Sequence, residues 1–275
     1  MKRRSTVTTA SLYVVGTLYG VAVLFPIVWM LMLALKSQLD AFAKPPLLIF
    51  EPTLDHFIAI FQDKEFLQSI VNSLIISTGS VLSAMLFAIP ATFALTIMQG
   101  RARRNSLLTI LLIRTAPGMI YLLPYFVVYS RLGMLDTHLA LIIIYLIFNV
   151  PLIIWTLMPV WTAVPRELRE SGMIDGASLW QILFFIELPL VRVGIIASGI
   201  VAFLFAWNEF LFAVVISAND SVTLAVAITR YMGYEGTEWG KLAAAASVIM
   251  LPGIVFGFLI QRYMVTGLTA GAIKG

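Results

Sequence analysis

Three polar residues stand inside runs of sequence that are otherwise apolar, and they are the first candidates for a functional site. Arg114 lies within one such run, close to Pro117 and Pro124, while Asn208 and Glu209 interrupt another. A charge in hydrocarbon is costly and normally faces a cavity or a protein partner. These residues could therefore line a polar pathway. Alternatively, Glu209 could pair with a neighbouring subunit or lie at the outer end of its apolar run.

The sequence offers no credible catalytic or metal-binding set. It contains no cysteine and 2 histidines, which excludes a disulfide framework and a thiolate metal site. It also lacks the HExxH and nucleophile-elbow patterns, and the GxxxxGK[ST] loop that cradles nucleotide phosphates. We therefore expect no catalytic residue, no bound metal and no ATP hydrolysis in this chain. A membrane-embedded enzyme is correspondingly disfavoured.

Most of the chain consists of apolar blocks that are each long enough to cross the hydrocarbon core of a bilayer. The residues are 60% hydrophobic and 12% charged, against about 45–50% and about 25% in a soluble domain. The first block is too long for a signal peptide, and no cleavage site follows it. We predict an all-α integral membrane protein with six transmembrane helices. Their approximate bounds are residues 11–35, 70–98, 106–129, 137–158, 191–217 and 242–260.

The basic residues between these blocks indicate the orientation in the membrane, because Lys and Arg beside a span are retained in the cytoplasm. If both termini are inside, inner segments hold eleven of the 18 basic residues and outer segments six, with Arg114 in a span. Both termini are therefore predicted to be cytoplasmic. The net charge of +4 is a topology signal on this view, so we expect contact with membrane lipid and none with nucleic acid.

The gap between the fourth and fifth blocks has a helical pattern of its own. Pro165 can begin a helix that runs through Met173, and Asp175-Gly176 then supplies a turn. Ser178 and Gln181 have the spacing of a capping box. They predict a second helix, which Pro189 would end.

These signals predict a cytoplasmic helix-turn-helix over residues 165–190, the coupling loop. The alternative is an amphipathic helix pair that rests on lipid headgroups. Such helices favour a Lys-rich polar face, whereas the charges here are mixed and the turn presents a bare glycine.

This loop resembles a motif of a known family. The run from Pro165 to Ala177, followed by Ile186-Glu187-Leu188-Pro189, is similar to the EAA loop of ABC-importer permeases. In that motif a glutamate and two small residues precede Asp-Gly-Ala, and the loop ends in Leu-Pro. Ser171-Gly172 replaces the usual Ala-Ala, so a looser first helix is expected.

Other segments resemble the carbohydrate branch of this family, and within it the maltose-type G subunit. They are Asn72-Ser73, the run Trp207-Asn208-Glu209-Phe210, and the tail from Gly267 to Gly275. The resemblance extends over essentially the whole chain. It therefore implies a single ABC-importer transmembrane domain over residues 1–275.

The resemblance also implies a function and a set of partners. The chain would be a permease subunit in a bacterial inner membrane, forming half of a translocation pathway for a carbohydrate or a related polyol or glycoside. The implied partners are a homologous second permease, two ATP-binding subunits that hold ATP and Mg, and an extracytoplasmic substrate-binding protein. This chain itself would hold no cofactor.

Site residues follow from the same resemblance. Those expected to dock an ATP-binding subunit are Glu167, Glu170, Asp175, Gly176, Ala177, Leu179 and Ile182. Tail residues expected to form a second contact are Thr269, Gly271 and Lys274. Tyr121 and Trp207 could stack on a sugar ring in the pathway, with ordinary helix packing as the alternative.

Two other classes of transporter stay open at this point. A secondary transporter or channel would be driven by an ion gradient, although such folds often show inverted repeats and central ion-binding residues that are not evident here. Within ABC importers, polyamine and phosphate permeases share the loop motif. The tail sequence argues against them.

Overall fold

The computed structural model describes the backbone of residues 6–233 and 236–271 and the side chains of residues 12–233 and 236–259. The described chain is mainly helical. Its helices are α1 (Thr6–Leu35), α2 (Gln38–Ala41), α3 (Asp55–Gln62), α4 (Lys64–Ile97), α5 (Gly100–Thr115), α6 (Gly118–Leu132), α7 (His138–Thr162), α8 (Arg166–Ile174), α9 (Leu179–Trp207), α10 (Leu211–Ile216), α11 (Leu224–Ala227) and α12 (Trp239–Gly271). A short 3₁₀ helix (Ile228–Tyr231) leads into an antiparallel pair of two-residue strands, β1 (Met232–Gly233) and β2 (Gly236–Thr237).

Within the described residues, five helices are long and apolar enough to cross a membrane, and they correspond to five of the six predicted blocks. They contain Leu12–Leu35, Lys64–Ile97, His138–Thr162, Leu179–Trp207 and Trp239–Leu259. The predicted third span corresponds to α5 and α6, which are bent by 81° relative to each other. The break falls at Ala116-Pro117, since proline lacks the N–H group that would continue α5. Counting this pair as one broken span gives six.

The fifth span begins earlier than predicted. α9 runs without interruption from Leu179 to Trp207, so the prediction that Pro189 ends a separate second helix is wrong. The physical reason is a π-helical turn at Ile182–Glu187, where the N–H of Leu188 donates to the carbonyl of Leu183. This wider turn accommodates a proline that has no N–H of its own to donate. The span also ends earlier than predicted, because the helix is interrupted at residues 208–210 before α10 begins.

The chain divides into two compact units. One contains the residues up to Leu67 together with Ile228–Leu251, and the other contains Gln68–Ala227 and the residues from Pro252 onward. In the first unit, the ring of His56 approaches the backbone of Lys36 and the start of α12. The candidate functional residues below all lie in the second unit.

The core of the second unit is formed by α4, α7 and α9. Apolar side chains from all three helices are buried there, among them Val81, Ile153 and Ala202. α9 approaches α7 closely at Gly194, where an added Cβ would lie 2.7 Å from Cγ1 of Val160. Close contact between backbones is typical of helix packing in membranes. This contact between α7 and α9 supports both the coupling loop and the membrane part of α9.

Candidate functional site

The turn of the coupling loop is closed by backbone hydrogen bonds. The N–H of Asp175 donates to Ser171 at 3.0 Å, that of Gly176 to Met173 at 3.1 Å, and that of Ala177 to Gly172 at 2.9 Å. Gly176 has φ +80°, a conformation that L side chains rarely adopt, and its α-carbon faces open space. Asp175 and Gly176 are exposed, and Ala177 is half-buried.

A capping box begins α9 directly after this turn, as the sequence predicts. The side chain of Ser178 accepts from the N–H of Gln181, and the Gln181 side chain accepts from the N–H of Ser178 at 2.7 Å. The first helix, α8, starts after Pro165 and ends at Ile174, within one residue of its predicted bounds. Two helices joined by this turn are therefore present, and the second is continuous with the fifth span.

A buried ion pair joins the two helices of the coupling loop. The Arg169 guanidinium donates to both carboxylate oxygens of Glu187, at 2.6 and 3.0 Å, and Trp161 Nε1 donates to the same carboxylate at 2.5 Å. Glu187 is 1% exposed. Arg169 also donates to Thr96 Oγ1 at 3.0 Å and lies over the ring of Phe93. A bidentate pair of this kind fixes both position and orientation.

Sequence reasoning assigned no role to Arg169 or Glu187. The available signal was the Glu-Leu-Pro part of the motif, which places an acid shortly before the predicted start of the fifth span. Its partner comes from α8, 18 residues earlier. Only the folded chain brings the two together.

Gly172 packs tightly, so the expectation of a looser α8 is wrong. The residue is buried, and a Cβ added to it would lie 2.8 Å from Cδ1 of Ile186 and 3.4 Å from Cγ1 of Ile182. The absent side chain lets α8 approach α9 more closely than an ordinary residue would. Its conformational freedom is restricted by this contact.

Ile182 is 0% exposed and packs inside its own chain with Trp161, Leu183 and Val191. The prediction that this side chain contacts a partner is therefore wrong, because the inner face of α9 is the face that carries it. Leu179 remains half exposed. Next to it, the rings of Trp180 and Phe184 stack with centroids 5.9 Å apart on the outer face.

Trp180 and Phe184 were missed by sequence reasoning. Their exposed fractions are 62% and 51%. Of the predicted docking acids, Glu167 and Glu170 are both exposed on α8. The structure thus places six of the seven predicted docking residues at least partly at the surface of one helix-turn-helix.

Three predicted pathway residues line one cavity. Arg114, Asn208 and Glu209 contribute to a space of about 690 Å³, whose other walls include the aromatic residues Phe148, Phe205, Phe210 and Phe212. The Arg114 guanidinium donates to the carbonyl of Phe148 at 3.2 Å and lies over the ring of Phe205. Among the described ion pairs none joins Arg114 to Glu209.

Glu209 has a structural partner that the sequence did not indicate. Its carboxylate oxygens accept from the N–H groups of Phe212 and Ala213, at 3.0 and 3.2 Å, and so cap the start of α10. This bonding satisfies part of the charge within the chain. Asn208 donates to the carbonyl of Leu204 at 2.8 Å and is exposed. Asn208 is therefore the most exposed of the three polar residues that line this cavity.

The two predicted stacking residues do not line this cavity. Trp207 is 3% exposed and stacks on Phe203, which makes it a packing residue. The hydroxyl of Tyr121 donates to the carbonyl of Ile113 across the bend between α5 and α6, and its ring packs against the core. Both residues therefore have the helix-packing role that was the stated alternative. Their assignment to the pathway is wrong.

Asn72 and Ser73, one of the segments that resemble the carbohydrate branch, anchor the loop around residues 218–224 at the other end of the second unit. Asn72 donates to the carbonyls of Asp220 and Val222, and Ser73 accepts from the N–H of Leu224 at 2.7 Å. His138 Nε2 lies 2.8 Å from Asn72 Oδ1.

Asp136 holds the same loop from a second side. Its carboxylate accepts from the N–H groups of residues 218–221 at 2.8 to 3.1 Å. Burial alone would raise the pKa of this carboxyl, but the four N–H groups outweigh it and hold the pKa well below its usual range.

The predicted tail contacts involve side chains outside the described residues. Thr269 and Gly271 belong to the last turn of α12, and their side-chain surroundings lie outside the described residues, as does Lys274 altogether. Within the described part of the chain, no group of three or more His, Cys, Asp or Glu side chains could hold a metal ion.

Comparison with known proteins identifies the family. Residues 2–269 match the family described as binding-protein-dependent transport system inner membrane component. The probable ABC transporter permease protein y4oR of Sinorhizobium fredii is 37% identical, over 91% of this chain and 90% of its own length. The diacetylchitobiose uptake system permease protein DasC of Streptomyces coelicolor is 30% identical, over 93% of each chain.

Solved structures show the same fold. A chain of a bacterial ABC transporter involved in the import of the acidic polysaccharide alginate has a TM-score of 0.77 at 20% identity, covering 96% of this chain and 98% of its own. A bacterial alginate ABC transporter in complex with an alginate pentasaccharide-bound periplasmic protein gives a TM-score of 0.69 at 17% identity, covering 94% and 96%. The predicted ABC-importer permease family is thus confirmed. The chain belongs to the inner membrane components of binding-protein-dependent transport systems, a family of multi-pass transporter permeases and not of catalytic enzymes.

Proposed function

We propose that this chain is one permease subunit of an ABC importer for a carbohydrate or a related polyol or glycoside. It would form half of the translocation pathway and couple that pathway to ATP hydrolysis by two partner subunits. In this proposal ATP and Mg are held by those partners, and this chain holds no cofactor. A homologous permease and an extracytoplasmic binding protein complete the assembly.

One observation carries the coupling role: the exposed Asp175-Gly176 turn joins two helices that are held firmly together. The turn is held by the buried Arg169–Glu187 pair and by the packing of Gly172. A turn held in this way can transmit a force applied by a partner to the helices that it joins, whereas a loose loop would deform instead. Gly176 lets a partner's backbone approach, and Glu170 offers a carboxylate to a basic group.

The substrate class rests on the relatives and on the cavity. One relative belongs to a diacetylchitobiose uptake system, and the two similar transporters of known structure described above are alginate transporters. The cavity combines aromatic rings with Arg114 and Asn208, which suits a solute with both apolar ring faces and hydroxyl groups. The complex of an alginate transporter with its periplasmic protein supports a comparable binding-protein partner for this chain.

The orientation belongs to the same proposal. The whole chain would act as a single transmembrane domain of six spans in a bacterial inner membrane, with both termini and the coupling loop in the cytoplasm. The excess of basic residues in the segments on that side supports it. In this arrangement Thr269, Gly271 and Lys274 would supply a second contact with the ATP-binding subunits.

The proposal is tested by changing the turn. Gly176→Arg should prevent co-purification of an ATP-binding subunit with the tagged chain from its own host, and it should abolish ATP-dependent uptake. Gly133→Arg is the matched control, because Gly133 also has positive φ, +65°, and open space around it, but it ends α6. Both variants should incur a similar backbone cost of about 1–2 kcal/mol. Retained recruitment and uptake in Gly176→Arg would refute the docking role.

A further inference from the structure

A second cavity, which the proposed function does not use, lies where α5 and α8 begin. It has a volume of about 800 Å³ and is bordered by the end of α4, the first turns of α5, and α8. Its polar lining is mainly basic, with four arginines and one acid. We call it the basic cavity; its charged residues are Arg103, Arg104, Arg166, Arg169 and Glu170.

Three of these arginines form no ion pair with any side chain that the structure describes. Arg169 is neutralised by Glu187, but none of the described ion pairs involves Arg103, Arg104 or Arg166. The Nε atom of Arg103 is buried and has no hydrogen-bond acceptor within the described structure. A buried donor without an acceptor costs free energy. The cavity therefore presents uncompensated positive charge to whatever occupies it.

The start of α5 adds to this positive potential. Gln99, the residue that precedes the helix, makes no side-chain hydrogen bond to the free N–H groups of the first turn, which contains no acidic residue. Both Gln99 and Gly100 line the basic cavity. The N-terminus of a 16-residue helix carries a partial positive charge and open N–H donors, which favour an anion.

The remaining wall of the cavity is apolar. Ile97, Met98 and Leu107 line it, and the surface of α5 continues from there with exposed Leu108 and Leu112. A small inorganic anion would leave this apolar wall unused. A ligand with a phosphate at one end and hydrocarbon at the other would satisfy both.

We propose that the basic cavity binds the phosphate headgroup of an anionic phospholipid. The arginines and the first turn of α5 would hold the phosphate, and an acyl chain would lie along the leucines of α5. Basic pockets between transmembrane helices are known to hold such headgroups. A bound lipid would join the start of α5 to α8, the first helix of the coupling loop.

The test uses the full-length chain, purified in detergent, stripped of lipid and titrated with phosphatidylglycerol, with native mass spectrometry as the readout. Arg103→Gln and Arg166→Gln should each weaken binding about tenfold or more, as expected for the loss of a charge-assisted hydrogen bond. Arg101→Gln is the matched control, because Arg101 is exposed in the same turn of α5 and does not line the cavity. It should bind as the wild type does.

Three results would overturn the proposal. Phosphatidylcholine could bind as tightly as phosphatidylglycerol, inorganic phosphate alone could bind as tightly as the lipid, or the arginine variants could retain wild-type lipid binding while losing a co-purifying protein subunit. Should Arg103→Gln fail to fold, Arg166→Gln at the exposed start of α8 still tests the same cavity. Failure of lipid binding leaves the Gly176 experiment unaffected, since that experiment measures recruitment of an ATP-binding subunit.

Discussion

Replacing Arg169 by methionine should destabilise the coupling loop strongly. The Glu187 carboxylate is 1% exposed and accepts two hydrogen bonds from Arg169 and one from Trp161. Arg169→Met removes both arginine bonds and leaves an anion in an apolar site. Breaking a buried pair from one side costs about 3–5 kcal/mol. For a chain of this size that corresponds to a fall in melting temperature of about 10 °C.

The double variant Arg169→Met/Glu187→Leu should be more stable than Arg169→Met alone. It removes both charges and leaves Trp161 Nε1 without its acceptor, at a cost of about 1–3 kcal/mol, while the hydroxyl of Thr96 keeps its bond to the carbonyl of Phe93. The assay is thermal unfolding of the purified chain in detergent. The difference between the single and double variants measures the cost of the stranded carboxylate.

The exposed pair Glu65–Arg230 provides the control. Its side chains are 74% and 40% exposed, so Arg230→Gln should cost no more than about 1 kcal/mol. If Arg169→Met shifted the melting temperature no more than Arg230→Gln does, the pair would not support the coupling loop. A double variant no more stable than Arg169→Met would refute the stranded-charge explanation.

Two further predictions concern the loop at 218–221 and the glycines of the helix packing. Asp136→Asn should reduce hydrogen-exchange protection of the 218–221 amides at pH 7, while Asp220→Asn, which removes an exposed carboxylate of the same loop, should not. Because the pKa of Asp136 is depressed, its contribution to the stability of the loop is fully present above the unfolded-state pKa of about 3.9 and is lost as pH falls through the lower folded-state pKa. A decline in the hydrogen-exchange protection of the wild type between about pH 7 and pH 5 would contradict this. Gly194→Ala should cost about 1–3 kcal/mol, since the new methyl meets a stiff β-branched side chain. Gly172→Ala should be neutral within about 1 kcal/mol, because helix propensity offsets the shift of a flexible isoleucine terminus; equal melting temperatures for the two variants would contradict the packing argument.

Local features of the coupling loop were predictable from the sequence. Pro165 and the Ser178–Gln181 spacing define helix starts through short-range chemistry that does not depend on the rest of the fold. The apolar blocks were equally visible, because crossing a bilayer requires a run of fixed length. The break in the third block coincides with Pro117, whose missing N–H acts on its own helix.

Features that depend on contacts between distant segments were not predictable. Periodicity placed Leu179 and Ile182 on one apolar face, but it could not show that Ile182 faces the chain's own core while Leu179 faces outward. The role of Glu187 depends on Arg169, a residue of a different helix. The position of Glu209 in an apolar run correctly indicated a cavity. It did not indicate that Glu209 caps α10, since that hydrogen bond requires the interruption between α9 and α10.

The two candidate sites lie at opposite ends of a single helix. α9 begins beside the Asp175-Gly176 turn and ends at Trp207, directly before the cavity-lining pair Asn208-Glu209. Its 29 residues span about 43 Å at 1.5 Å per residue, and the helix continues from the coupling loop into the membrane part through the π-helical turn. The Arg169–Glu187 pair fastens α8 to this helix at its π-turn. In the proposed coupling, a displacement applied at the turn would be carried along this continuous helix to the cavity wall at its far end, whereas a second helix that ended at Pro189 would leave a break between the two sites.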